Sequence, residues 1–374
     1  MAGIYIHIPF CKHKCYYCNF YSVGNHKRQA EVVQSIIREM EIRKDYLPQK
    51  DIQTIYFGGG TPSLLSTAQI MEIIEYISMH YSIDSSAEIT LEANPDDLSP
   101  SKVKELQNTP VNRLSIGIQS FFSDDLEYLH RTHNAAEAQN CIQRVQDAGF
   151  SNLSLDLIYG IPTLTEEKWH KNLDLFFATG APHLSAYSLT VEPATPLEKL
   201  IQKGKRLPTQ EEESLKHFDI LLQRIQKEGF TQYEISNFCK DNTYSRHNKN
   251  YWNQSLYLGV GPSAHSFDGN SRQWNTASIP NYLQGVEKGS DFYEKEILDS
   301  TQCYNEYIMT SLRTIWGCSK DYILKNFGEE VWQHFYRTVK PMIGKKQVVQ
   351  KDNNFVLSNQ GKVFADGLAC ELFL

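Results

Sequence analysis

Tyr5-Ile-His-Ile-Pro-Phe-Cys11-Lys-His-Lys-Cys15-Tyr-Tyr-Cys18 is the stretch from which the rest of the chain is read outward. The β-branched run Gly3–Pro9 predicts a strand, and it stops at a loop carrying three cysteines in the pattern C-x3-C-x2-C. Cys141, Cys239, Cys303, Cys318 and Cys370 are scattered over the remaining length, and eight cysteines in 374 residues is far below a disulfide scaffold. The N-terminus lacks the cationic and long apolar regions of an export signal. No apolar run approaches the roughly 18 residues of a membrane span. The expected compartment is the cytosol, where clustered cysteines more often bind metal or do redox chemistry than form disulfides.

Similar strands recur beyond the first: Thr54–Phe57, Glu88–Glu92, Arg113–Ile118, Leu153–Ile158, His183–Leu189 and Gln232–Ile235. Helices are expected between them, several with readable ends. Ser66 and Gln69 form a capping-box pattern opening a run to about Tyr81. Asn134 and Thr165 open two more, closed near Gly149 and Gly180, and Thr209 with Glu212 opens one closed at Gly229. This alternation predicts an α/β fold with a parallel sheet. Polar residues fall at the strand ends: the Gly58-Gly59-Gly60-Thr61-Pro62 turn, Glu92, Gln119, Asp156, Tyr187 and Glu192. In a βα barrel those ends ring one mouth, where active sites are built.

After Ile235 the repeat fades. Residues 237–296 read as a loop-rich connection. Three helices, a β-hairpin and a closing helix then suggest a winged-helix-like α+β module over 297–374. Residues 301–374 carry nine basic and seven acidic side chains, too slight an excess to suggest DNA. The whole chain, 41% hydrophobic with a net charge of −7, has the composition of a globular protein and not of a general polyanion binder.

Three readings of the cysteine loop stay open on spacing alone. Positions i, i+4 and i+7 also describe the buried face of a helix, although Pro9, Lys12, His13 and Lys14 would make a poor one. Zinc would need His13 or His7 as a fourth ligand, and zinc motifs usually bring a distant second pair that is missing here. An iron–sulfur cluster held by three thiolates would keep one iron open for an exogenous chelator.

The stretch from Tyr5 to Cys18 resembles the radical S-adenosylmethionine (SAM) superfamily. The resemblance implies a partial (β/α)6 TIM-like barrel over 1–236. It also implies a [4Fe-4S] cluster on Cys11, Cys15 and Cys18, with SAM chelating the open iron. An electron from the cluster would cleave the sulfonium bond to give a 5′-deoxyadenosyl radical. Gly59 and Gly60 then match the loop for the methionine amine, because no Cβ obstructs approach to their amides. Glu92 would accept from ribose hydroxyls or an ammonium, while Gln119 and Arg131 would reach a carboxylate. Asp156, costly if buried without a partner, is a further functional carboxylate.

The set from Tyr5 through Asp156 most resembles the coproporphyrinogen dehydrogenase branch, and the resemblance implies that Tyr5 is itself a cofactor-binding residue. Tyr17, Gly60, Thr61 and Asp156 would there touch a second SAM. The oxidative decarboxylases of this branch carry a fourth cysteine two residues after the third, where this chain has Phe20. The heme-chaperone (HemW) type carries H-N-x-x-Y-W, matched by His247-Asn248-Lys249-Asn250-Tyr251-Trp252. The resemblance therefore implies a heme chaperone, with His247 as a candidate iron ligand, His265 as another, and aromatic walls nearby. The oxygen-independent coproporphyrinogen III dehydrogenase is the alternative. A colourless, zinc-stabilised interaction protein is a reading from a different class. The partners implied are heme and acceptor hemoproteins, among them membrane respiratory enzymes. Nucleic acid is not expected, the electron donor is unassigned and a homodimer is left open.

Overall fold

Burial along the first strand sets the architecture. Ile4, Ile6 and Ile8 are fully buried in the main core, while Tyr5 and His7 alternate with them and face the other side of the sheet. The computed structural model describes residues 2–374. Its strands are β1 (Ala2–Ile8), β2 (Asp51–Gly59), β3 (Ser82–Ala93), β4 (Arg113–Gln119), β5 (Leu153–Tyr159) and β6 (His183–Ser188), followed by β7 (Thr231–Gln232) and β8 (Asn237–Cys239). Then come β9 (Leu256–Val260), β10 (His265–Phe267), β11 (Ser271–Asn275) and β12 (Tyr293–Ile297). The C-terminal strands are β13 (Cys318–Ser319), β14 (Val348–Lys351) and β15 (Asn354–Leu357).

β1 through β6 lie side by side in chain order, all parallel, with helices in the crossovers. The sheet keeps two free ends, so it is the expected partial barrel. Local signals acted as read. Ser66 caps Thr67–His80 in a capping box, and Asn134 and Thr165 cap Ala135–Asp147 and Glu166–Ala178. Gly149 and Gly180 follow the last two helices at φ +88° and +70°, the left-handed conformation that lets the chain turn back into a strand. Thr209 does not cap its helix. Glu211–Lys227 starts one residue later, after Gln210, with no side-chain cap.

The loop-rich reading of 237–296 is corrected more fundamentally. β9 pairs in parallel with β1, and β10, β11 and β12 extend the same sheet in antiparallel fashion. On the opposite side β8 and then β7 extend the sheet beyond β6, each antiparallel to its neighbour. A buried polar staple ties this segment to the helix Gln29–Ile42. Glu39 accepts from Arg43 (2.9 Å), the Gly261 amide (2.8 Å), Asn275 (2.7 Å) and the Tyr282 hydroxyl (2.6 Å). A buried carboxylate is tolerable only with such saturation. A second core runs from Tyr304 to Leu372, where the helices Ser300–Leu312, Lys320–Phe327 and Glu329–Gly344 enclose the β13–β15–β14 sheet.

Candidate cofactor site

The loop after β1 is pinned at several points. Cys11 N–H donates to Val23 O (3.1 Å) and Val23 N–H to Pro9 O (2.8 Å). Tyr16 N–H reaches Leu129 O (3.2 Å), and Lys12 pairs with Asp96 and Asp97. The three thiols thereby face a cavity of about 440 Å³ at the C-terminal ends of the parallel strands. Tyr17, Gly59, Gly60, Thr61, Glu92, Gln119, Arg131 and Asp156 line it too, so eleven expected residues from five strands share one space. Tyr187 and Glu192 also line it.

Backbone geometry explains the small residues. A Cβ at Gly60 would stand 2.7 Å from Phe10 O and 2.9 Å from Ile8 O. Gln119 sits at φ +65° beside a register irregularity between β4 and β5, an uncommon conformation for a non-glycine residue and one that redirects its side chain at the strand end.

The electrostatics mix retained protons with fixed charge. Burial raises the Glu92 carboxyl to about 7, offset by the Tyr56 hydrogen bond and reinforced by Asp156. Tyr56 donates to Glu92 at 2.7 Å, and the Gly59 amide at 3.2 Å. Asp156 rises to about 6, again chiefly by burial, and takes hydrogen bonds from Ser115 at 3.3 Å. Arg131 donates to Gly117 O (2.9 Å) and Cys15 Sγ (3.2 Å), while its buried Nε has no partner.

Other expected residues lie elsewhere. Tyr5 and Tyr251 face a second cavity, and Asn248 and Trp252 line neither. His247, on the helix Arg246–Trp252, is buried against the sheet, 2.8 Å from Thr54 Oγ1 through Nδ1 and 2.9 Å from the Tyr251 hydroxyl through Nε2. Both ring nitrogens are therefore occupied, and these surroundings do not support an axial-ligand role. Arg113, missed in sequence reading, is a buried cation near Glu88 (4.0 Å) that bears on the protonation of Glu92 and Asp156. Its signal was an arginine opening the otherwise apolar strand Arg-Leu-Ser-Ile-Gly-Ile.

The donor set fits a cluster with an exchangeable chelator. Three thiols line a space far larger than one ion, and among the described residues no three His, Cys, Asp or Glu side chains close on a single-ion site. The Arg131 guanidinium, whose Nε has no protein partner, suits an added ligand's carboxylate, and the Cβ-free turn at Gly59 and Gly60 lets a ligand approach closely although both amides are already bonded, to Glu92 and Ile8 O. The profile of the Radical SAM superfamily matches residues 5–176. Fold and site together define a radical SAM protein.

Over its full length the chain has nearer relatives. Heme chaperone HemW of Bacillus subtilis is 34% identical, over 98% of this chain and 97% of that protein. Heme chaperone HemW of Haemophilus influenzae is 30% identical, over 100% and 97%. The chain belongs to the HemW family of the radical SAM superfamily. Coproporphyrinogen III oxidase (HemN) from Escherichia coli superposes with a TM-score of 0.85 over 100% of this chain and 90% of that one, and at 19% identity the likeness is one of fold. Membership brings a [4Fe-4S] cluster and SAM.

Proposed function

We propose that this protein is a heme chaperone, which binds heme and passes it to acceptor hemoproteins on a radical SAM scaffold. The observation that carries this reading is the similarity to HemW proteins across 98% of the chain, including the segment beyond the superfamily profile. Phe20 stands where the decarboxylase pattern has its additional cysteine, and the second cavity has aromatic walls suited to a porphyrin.

Cys11, Cys15 and Cys18 hold the cluster in this reading. When bound, cluster and SAM supply one-electron cleavage of the sulfonium bond, chemistry that belongs to the cofactors. The chain's own part is placement. Glu92, held by Tyr56 and the Gly59 amide, accepts from ribose hydroxyls. Arg131 and Gln119 take the carboxylate, and Gly59, Gly60 and Thr61 offer close backbone approach. Tyr17, Thr61 and Asp156 line the space a second SAM would fill.

The acceptors we infer are hemoproteins of the respiratory membrane, met from the cytoplasmic face by a peripherally docking carrier. No helix among the described residues is long and apolar enough to cross a membrane. Light scattering decides between a monomer and the homodimer that the resemblance allows. The test of the function is transfer. Anaerobically reconstituted protein loaded with heme should convert an apo-hemoprotein to its holo spectrum faster than free hemin at equal concentration. Heme that stays bound, or no heme uptake at all, would refute it.

A further inference from the structure

The HemW reading leaves open where heme sits, and the second cavity answers with a built site. It measures about 540 Å³, within the usual range for small-molecule pockets, and lies beside β1, with Phe20 lining both it and the cluster cavity. Tyr5, Tyr251, Tyr257 and Phe267 supply flat walls. A planar tetrapyrrole needs such walls, an axial ligand for its iron and a cation for its carboxylates.

Three histidines stand near this space, and hydrogen bonding separates them. His7 Nδ1 meets the Tyr5 hydroxyl at 3.1 Å and Nε2 meets Tyr21 O at 3.1 Å. His247 is occupied at both nitrogens by Thr54 and Tyr251. His265 lines the cavity, is exposed, and has no protein hydrogen-bond partner for either ring nitrogen among the described residues; its ring rests against Trp274, 6.4 Å between centroids. Partial desolvation of the ring where it lines the cavity, and next the charge of neighbouring Arg272, lower its pKa, which favours the neutral imidazole that ligates metals.

Register places the cation. On the β10–β11 pair His265 opposes Trp274 and Phe267 opposes Arg272, so His265 and Arg272 are diagonal neighbours on one face. Such positions are about 7–8 Å apart. An arginine side chain extends that span from an iron at the imidazole to the rim of the macrocycle. Arg272 is held by Glu306 at 2.6 Å through one nitrogen, which leaves further donors for a carboxylate.

We propose that the second cavity is the heme site, with His265 as axial ligand and Arg272 as the partner of a heme propionate. The proposal rests on the heme-chaperone reading and adds to it the location and the ligand. Hemin is titrated anaerobically into the reconstituted full-length protein, with absorption and electron paramagnetic resonance as readouts. Wild-type protein should bind with a perturbed Soret band. H265A should weaken binding at least tenfold and change the axial-ligand signature, and added imidazole should restore the signature. H265M should bind with an altered ligand field, which guards against loss of fold as the explanation. R272Q should weaken binding several-fold with the axial signature intact. Wild-type spectra and affinity in H265A and H265M would overturn the assignment while leaving the chaperone reading standing. No heme binding by wild-type protein would overturn both.

Discussion

The imidazole of His247 lies against the ring of Tyr56, 4.9 Å between centroids and 25° from parallel, and the Tyr56 hydroxyl donates to Glu92 at 2.7 Å. The HNxxYW motif thus reaches the cofactor cavity through a stacked ring. Its own helix, Arg246–Trp252, is anchored where Glu88 accepts from the backbone amides of Arg246 and His247, both at 3.1 Å. On this geometry His247 is a positioning residue for Tyr56 and, through it, Glu92.

Replacing His247 tests that role. H247A removes a packed ring and strands the Thr54 and Tyr251 hydroxyls. Thermal or denaturant melts should show a loss of about 2–4 kcal/mol. Calorimetry should show SAM affinity reduced several-fold, with the axial-ligand spectrum of bound heme unchanged. A lost axial signature at unchanged stability would instead make His247 the ligand.

SAM binding should depend on pH through Glu92. Its carboxyl, raised to about 7 by burial, keeps its proton more tightly in the folded chain than the unfolded value of 4.5 allows. The protonated form stabilises the fold at low pH, and that contribution is lost as pH rises through about 7. A ribose hydroxyl donating to Glu92 favours the carboxylate, so binding should release a proton near pH 6.5. Affinity should fall by up to about tenfold per unit as pH drops below 7. Calorimetry in buffers of different ionisation enthalpy measures the proton. E92Q should bind weakly with a flattened profile, Asp156 giving the residual slope because the two carboxyls interact.

Two glycines separate crowding from backbone strain. G60A would push a Cβ into two carbonyl oxygens of the cluster loop, so iron content after reconstitution or SAM affinity should drop at least tenfold. G149A meets open space, and its cost comes from φ +88° alone. It should lose about 1–2 kcal/mol of stability and keep its iron.

The staple at Glu39 predicts that segment 237–296 melts with the barrel. E39A leaves Arg43 buried and unpaired beneath β9–β11, with an expected cost of about 3–5 kcal/mol. Denaturant unfolding by far-UV circular dichroism and by tryptophan fluorescence (Trp252 and Trp274 lie in the segment) should shift together. A separate early transition would contradict the shared sheet.

Residues whose roles are local were legible in sequence. The strand alternation at Tyr5, the Ser66–Gln69 box and the glycines after helices each act within a few positions, so their patterns survive without tertiary context. Leu256–Val260 did not read as a strand of the barrel because its partner, β1, is some 250 residues away and the five-residue segment carries a glycine. Tyr5 was assigned to the cofactor cavity by motif, yet it lines the neighbouring one, a matter of strand position that the motif does not encode. His247 shows the same limit. The motif marked it as functional, whereas only the contacts with Thr54, Tyr56 and Tyr251 show which function its ring can serve.

One preparation decides the central claim. Anaerobically reconstituted protein is split, one half titrated with heme and the other incubated with coproporphyrinogen III, SAM and a reductant. A heme chaperone binds heme with a Soret shift and forms no protoporphyrinogen. Conversion of coproporphyrinogen without heme binding would contradict the chaperone reading and return the protein to the decarboxylases.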